Sequence, residues 1–596
     1  MPYSDDSDDV AERADAFWTT SGNERLTLGL FQSSSTNDET TRTPQVIVDA
    51  EAGGTPLASP ALISKLPSEI LAHIFECLAL VKKPHRDEFD WLTSERQSEL
   101  GWIESATHVC RSWRAAALGH PALWRSISFE LGMPWAREML ARARSAPLVI
   151  VQLHADAKLQ TETDAMLLAH CAQIRELRTT RHAEGWRFVQ PILASPVPAL
   201  EVFEVIVDGE SPPMVTDLFG GRADRLEKIA IRNCAFAWTC FPRSPLTQVV
   251  LQLSSNATRR GEPAPHQCPD LFLDFLAANP ALEVLSLEHC LPTSDSYRDG
   301  SVVSLPRLRR ISLSGRAVDV TAALGHIHLP SSTKLRLYCV SVTATSDECV
   351  VALSLAAAHL RSSGESIRML KIQTEYWGTS TVSVDAQREN VSIKGMGRDA
   401  LDFSVAMSWS PLGRAKYIPQ SALRAIADAL PLKYLQTLHL GVDCPEWTLP
   451  GPLTEVFGQS GAVQRLVVKG MPRLIKALAH PPQPDATTTS EANRGKHGHP
   501  HSIVLFPMLE HLHLTDIDFI PRARSGEVTN WLKKTLRWRR QQKMGLKTLF
   551  IEDCCVRQNQ VKDLKQFVDD VHWDGITYSE EDDEEDFDED YDSDDY

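Results

Sequence analysis

One short apolar template recurs through most of the chain and restricts its fold more than any other feature. The template is an apolar residue, two variable residues, a second apolar residue, one variable residue and a third apolar residue. It fits Leu200/Phe203/Val205, Leu226/Ile229/Ile231, Leu282/Leu285/Leu287, Leu308/Ile311/Leu313 and Ile367/Leu370/Ile372. The same spacing returns at Leu435/Leu438/Leu440, Val463/Leu466/Val468, Leu509/Leu512/Leu514 and Leu546/Leu549/Ile551. The last two apolar positions of each match are two apart, the period of a strand with one buried face. Middle positions 203 and 229 lie 26 residues apart, as do 285 and 311, room for one strand and a returning segment. Asn233-Cys234, Cys290 and Cys554 stand just past the strands, where small polar residues can turn the chain.

This pattern resembles the leucine-rich repeat in an irregular form. The resemblance implies units that cannot bury a strand and a helix alone and so stack into a curved solenoid with a parallel sheet inside. An ordinary α/β domain is the alternative, because L-x-x-L-x-L arises by chance in Leu-rich chains; the shared spacing favours stacking. Two segments interrupt the pattern, a strand-rich insert near 380–412 and a Pro/Thr/His-rich loop near 480–501. In a solenoid, the residues alternating with the buried ones face the concave side. Lys228, Arg232, Arg310, Arg465, Lys469, His511 and His513 are therefore the candidate contacts for a target protein.

A compact helical block precedes the repeats. In LPSEILAHIFECL, Pro67 suits the first helical position and Glu69 the first turn, where negative charge is favoured. Ile70, Leu71, Ile74, Phe75 and Leu78 make one apolar helical face, and Lys82, Lys83, Pro84 and His85 end it. In GWIESATHVCRSWRAAALGHPALW, Ile103, Ala106, Val109, Cys110, Trp113 and Ala117 repeat at three and four. That spacing predicts a helix closed by Gly119, with Pro121 opening a short one that carries Leu123 and Trp124. Three short helices cannot cover all of these groups, and burying each large one stabilises by roughly 1.5–3 kcal/mol. An outside partner surface follows, unless the block packs against the rest of the chain.

LPSEIL with IF and a following Leu, then VCRSWR, then PALW, resembles the F-box motif, and LGWIESATHVCRSWR is similar to the form common in fungal F-box proteins. The resemblance implies a Skp-family adaptor as partner. Carried over by motif position, Leu66, Pro67, Ile70, Leu71, Ile74, Phe75, Val109, Cys110, Trp113 and Leu123 would supply the contact or hold its geometry. Arg111 and Arg114 would lie at its rim. One departure from the family pattern is an insert of about 25 residues between the first two helices. The implied function is that of a non-catalytic substrate receptor of a cullin-RING (SCF-type) ubiquitin ligase, with the adaptor and cullin as partners and an unknown protein as target.

The expected fold is thus α/β: a disordered segment at 1–58, a three-helix F-box at 59–131, an irregular leucine-rich-repeat-like solenoid at 132–575, and an acidic disordered tail at 576–596. Residues 1–58 are too polar to offset ordering entropy. Residues 580–596 hold 13 acidic residues and no Lys or Arg, against a formal charge of −17 for the whole chain, so the acidity is mostly a tail. The start MPYSDDSDDV has neither the basic nor the apolar part of a secretory signal, and no apolar run is long enough for a membrane span. The twelve Cys form no zinc-finger spacing, which implies reduced thiols in the cytoplasm or nucleus.

The remaining motifs are sparse. Arg522–Lys543 reads as a basic amphipathic helix, either the outer helix of a repeat, a contact for an acidic surface, or a counterpart for the acidic tail. Nucleic acid is not an expected partner. His497, His499 and His501 lack Cys or carboxylate companions, so no metal is expected, and no cofactor. Phosphate-binding loops, nucleophile elbows and H-E-x-x-H are all absent, and no catalytic residue is assigned. Two other functions fit the same features: an interaction protein acting outside the ligase, and a nuclear protein binding basic partners through its tail.

Overall fold

The structure, a computed structural model, describes residues 66–86, 98–129, 131–152, 157–182, 186–209, 214–253, 268–297, 300–341, 347–362, 364, 366–376, 380–389, 401–409, 426, 428–441, 450–478, 504–519 and 526–576. The segment expected to be disordered at 1–58, that at 576–596 except for Ile576, the loop near 480–501 and its histidines, and Arg522 and Arg524 lie outside the described residues. The chain divides into two compact units. One takes Met1–Pro212, Asp217–Lys228 and Pro242–Ser244, and the other takes Pro213–Thr216, Ile229–Phe241 and Pro245–Tyr596.

The first unit opens with helices α1 (Ser68–Val81), α2 (Trp102–Thr107) and α3 (Arg111–Gly119). Pro67 is the N-cap of α1 rather than its first residue, and Lys82 closes it by donating its N–H to Leu78 O. The helix expected from Ile103 to Ala117 is two helices. Cys110 is fully extended (φ −159°, ψ 170°), so Val109 and Cys110 leave the helical path and α3 starts afresh. A single-turn 3-10 helix, Pro121–Trp124, follows as expected.

Beyond it, β1 (Ser126–Ile127), α4 (Met133–Ala143), β2 (Leu148–Gln152), α5 (Ala157–Ala169), β3 (Ile174–His182), α6 (Trp186–Leu193) and β4 (Val202–Asp208) alternate. The four strands pair in parallel in sequence order. Arg181 on β3 and Asp164 on α5 form a buried ion pair, Nη2 to Oδ1 at 2.5 Å. Burial raises the Asp164 carboxyl and lowers the Arg181 guanidinium, and their mutual attraction offsets part of both effects.

In the second unit the strands are β5 (Lys228–Arg232, with Ile229 onward in this unit), β6 (Gln248–Gln252), β7 (Val284–Glu288), β8 (Arg310–Arg316), β9 (Lys334–Ser341), β10 (Met369–Tyr376), β11 (Ser380–Gln387) and β12 (Phe403–Trp409). They continue as β13 (Thr437–Gly441), β14 (Arg465–Lys469), β15 (His511–Thr515), β16 (Thr548–Glu552) and β17 (Asp570–Trp573). Strands β6 to β9 pair in parallel, as do β10 with β13 and β13 to β17 in turn. The strand-rich insert enters the sheet itself. β12 lies parallel to β9, while β11 runs antiparallel to both β12 and β10. This pair of extra strands accounts for the wide gap between the template matches at Leu370 and Leu438.

Every apolar residue of the nine template matches is buried, and their central residues lie opposite one another, as in Leu370, Leu438, Leu466, Leu512 and Leu549. Leu246, Val249 and Leu251 fit the same template, are equally buried and form β6, a match the sequence reading passed over. Helices α7 (Pro269–Ala278), α8 (Ala317–Gly325), α9 (Asp347–Ser362), α10 (Pro450–Phe457), α11 (Pro472–Ala477), α12 (Gly526–Gln541) and α13 (Gln558–Leu564) fill the connections.

The turns after the strands have a common device. Asn233, His289 and Asp553 adopt positive φ of 57°, 53° and 51°, and each precedes a buried cysteine. The Cys290 thiol donates to Leu251 O at 3.4 Å and the Cys554 thiol to Leu514 O at 3.5 Å, so each sulfur satisfies a carbonyl of the neighbouring strand. Burial pushes the Cys554 thiol up to about 11, the opposite of what a nucleophile requires.

Candidate protein-docking surfaces

The first surface is built by the three opening helices. Their interior is aromatic: Phe75 meets Trp113 with ring centroids 5.1 Å apart, and Trp102 meets Trp124 edge-on at 5.1 Å. Trp124 donates its indole N–H to Ala117 O at 2.9 Å, so the one polar atom of a buried ring is satisfied. His120 Nε2 and Glu76 Oε1 are 2.7 Å apart and tie the end of α3 to α1. Gly101, at φ 58°, lets the chain pass beneath the end of α1.

Around this interior the apolar face expected on α1 divides. Leu71 and Phe75 point inward and are buried, as is Leu123. Leu66 and Trp113 are half-buried, and Pro67 and Cys110 are exposed. Ile70, Ile74 and Val109 stand 49%, 42% and 58% exposed, a high value for β-branched residues, and Leu80 and Val81 at the end of α1 are more exposed still. Ile70 and Ile74 are one helical turn apart on a single face. The buried members of the motif set hold the helices together, and the exposed members present an apolar surface.

Residues 63–130 match the F-box-like family model. The chain carries an F-box-like domain. Its three helices and the 3-10 turn all fall within the matched residues, and the insert after α1 belongs to the domain. The two ends of that insert are fastened: His85–Arg86 pairs antiparallel with Ser98–Glu99, and Trp102 N–H donates to Lys82 O at 2.9 Å. No curated protein matches the sequence.

The second surface lies on the sheet of the second unit, on the face alternating with the buried template residues. Lys371, His439, Val467, His513, Phe550 and His572 lie opposite one another on β10, β13, β14, β15, β16 and β17. Five of them, with Arg465, Lys469, His511 and Glu552, line a cavity of about 520 Å³; His572 lies beyond it. Of the seven candidates for target contact, the structure brings Arg465, Lys469, His511 and His513 together here. Lys228, Arg232 and Arg310 do not line it. Lys371 and His439, which alternate with template residues by the same rule, also line the cavity.

The electrostatics of this cavity are uneven. His513 Nε2 lies 3.1 Å from Glu552 Oε2, and Phe550 stacks on His572 with centroids 4.7 Å apart. Lys371, Arg465 and Lys469 form no ion pair among the described residues. His439 is 8% exposed, and its Nε2 has no hydrogen-bond partner among the described residues. Burial, followed by the charges of Lys371, His513 and Arg465, pushes its pKa down to about 3, so the ring is neutral. Gly441 keeps the floor low: a Cβ there would stand 3.4 Å from Lys469 Cβ.

The basic helix α12 is a different matter. Lys533 pairs with Asp563 at 2.7 Å, and Arg540 donates to Gln566 O at 2.8 Å. Arg537 lies over the Phe567 ring, and buried Arg539 donates to the carbonyls of Leu505 and Phe506. Much of its positive charge is engaged in fastening this helix to its neighbours.

Among the described residues no helix is long and apolar enough to cross a membrane, and no group of three metal-ligating side chains is assembled.

Proposed function

We propose that this chain is the substrate-receptor subunit of a cullin-RING (SCF-type) ubiquitin ligase. Its F-box-like domain binds a Skp-family adaptor, and the sheet face of the second unit binds a target protein. The observation that carries this reading is the exposed set Ile70, Ile74 and Val109 on the F-box-like domain, at motif positions where the family meets its adaptor. Covering the exposed half of each on docking would contribute on the order of 1 kcal/mol apiece. The parallel sheet and its returning helices constitute an irregular leucine-rich-repeat-like solenoid, a reading supported by the nine template matches and the aligned strands.

The mechanism is proximity. A target held beside a charged conjugating enzyme reacts at raised effective concentration, and no side chain of this chain takes part in the chemistry. The receptor is not an enzyme and acts in the cytoplasm or nucleus.

Affinity purification of the intact chain beside Ile70→Asp/Ile74→Asp tests the reading. The wild type is expected to recover adaptor and cullin, and the variant to lose both while retaining another bound protein, the target. Recovery of neither subunit by the wild type would sink the proposal. Adaptor without cullin would instead assign a role outside the ligase.

A further inference from the structure

The cavity on the sheet of the second unit carries positive charge in want of a partner. Lys371, Arg465 and Lys469 line it without an ion pair among the described residues, and Glu552, the only acidic residue among the described ones that line it, lies 3.1 Å from His513 Nε2. His439, which also lines this space, adds a neutral imidazole, more than nine-tenths buried, whose Nε2 has no hydrogen-bond partner among the described residues. Leaving such a group unsatisfied costs about 1–3 kcal/mol. A carboxylate placed in the cavity would accept an N–H from His439 and neutralise the cations beside it.

The same chain contains an acidic segment of matching chemistry. Residues 580–596 hold 13 Asp and Glu and no Lys or Arg, with Phe587 and Tyr591 among them. They follow closely on β17, whose His572 stacks on Phe550 at the cavity wall. From β17 to β14 is three strand spacings, about 14 Å. The 20 residues 577–596 reach up to ~66 Å when extended. A short tether of this kind sets an effective concentration on the order of millimolar. Helix α12 is the competing counterpart, but Lys533, Arg537, Arg539 and Arg540 are engaged with their own neighbours.

We propose that the cavity lined by Lys371, His439, Arg465 and Lys469 is a binding site for acidic peptide, and that segment 580–596 of the same chain occupies it. The site is independent of adaptor binding by the F-box-like domain. If the target binds this sheet face, as proposed above, it must displace the acidic segment, and the segment then acts as a built-in competitor.

Zero-length carbodiimide cross-linking of the full chain tests this, because it joins a lysine amine to a carboxylate only where the two touch. Links from Lys371 and Lys469 to acidic residues within 580–596 are expected, and they are lost at 1 M salt, where the screening length falls to about 3 Å. Arg465→Glu, a change at an exposed position, is expected to lower the yield at Lys371 at least fivefold while the fold is retained. Links from 580–596 to Lys533, Lys534 and Lys543 instead, or spread over exposed lysines in general, overturn the proposal. So does the absence of any link from this segment. Mixing isotopically light and heavy chains separates the two geometries: light–light and heavy–heavy links support occupation within one chain, and mixed links overturn it. Adaptor recovery by the same preparation reports separately on the F-box-like domain.

Discussion

Trp102 donates its backbone N–H to the carbonyl oxygen of Lys82 at 2.9 Å, so the insert between the first two helices leaves and returns at the same place. Gly101 makes this closure possible. Its φ is 58°, and a Cβ there would lie 2.7 Å from Lys82 O and 2.8 Å from Lys83 O. Both contacts are with backbone, which cannot swing aside. Gly101→Ala is therefore expected to destabilise the F-box-like domain by about 1–3 kcal/mol. Urea unfolding followed by the fluorescence of buried Trp102 and Trp124 measures it, and an unchanged midpoint would show that the two strands of chain part freely.

Adjacent residues on the first helix should behave in opposite ways. Phe75 is fully buried against Trp113, and Phe75→Ala is expected to cost about 3–5 kcal/mol of stability. Ile74 is half in solvent, so Ile74→Asp should cost no more than about 1 kcal/mol, mostly through helix propensity. Adaptor recovery should nonetheless fall away for Ile74→Asp. Paired thermal melts and co-purification check both halves.

The Arg181–Asp164 pair predicts a large and reversible effect. Asp164→Ala leaves a guanidinium buried without its counter-ion, which is expected to cost about 3–5 kcal/mol. Adding Arg181→Met should recover most of that loss, because the remaining site is apolar and of similar volume. Chemical unfolding of the two variants against the wild type gives the comparison.

His439 predicts an acid-sensitive second unit. Its folded pKa is pushed down to about 3, below the ordinary 6.5, with Lys371, Arg465 and His513 facing it. As pH falls below 6.5 the unfolded chain takes up a proton that the folded chain refuses. Stability from this group is therefore complete above 6.5 and is lost progressively between 6.5 and about 3, by at most about 1.4 kcal/mol per pH unit. His439→Gln should flatten the melting temperature over that range relative to the wild type. Parallel profiles for the two proteins would count against a neutral His439.

Much of the strand content could be read in advance. Phe203/Val205 or Leu512/Leu514 announce a half-buried strand because alternation is a local property, visible in a few residues. Leu246/Val249/Leu251 obeys the same rule and forms β6. The break between α2 and α3 had no comparable mark. Apolar spacing at three and four runs unbroken from Ile103 to Ala117, and the extended backbone of Cys110 interrupts it. The division of α1 into Leu71 and Phe75 inside and Ile70 and Ile74 outside was equally hidden, because helical periodicity shows one apolar stripe and not which part of it the neighbouring helices cover.

Local patterning therefore marked the strands of the nine template matches, the place of the F-box-like motif, and the concentration of negative charge in 580–596. Tertiary structure alone decided which strands are neighbours: that β11 and β12 enter between β9 and β10, and that Lys371, His439, Arg465 and Lys469 converge on one cavity. The reason is range. Alternation and charge are written in adjacent residues, whereas Lys371 and His439 are 68 residues apart, and only the alignment of their strands in the sheet brings them together.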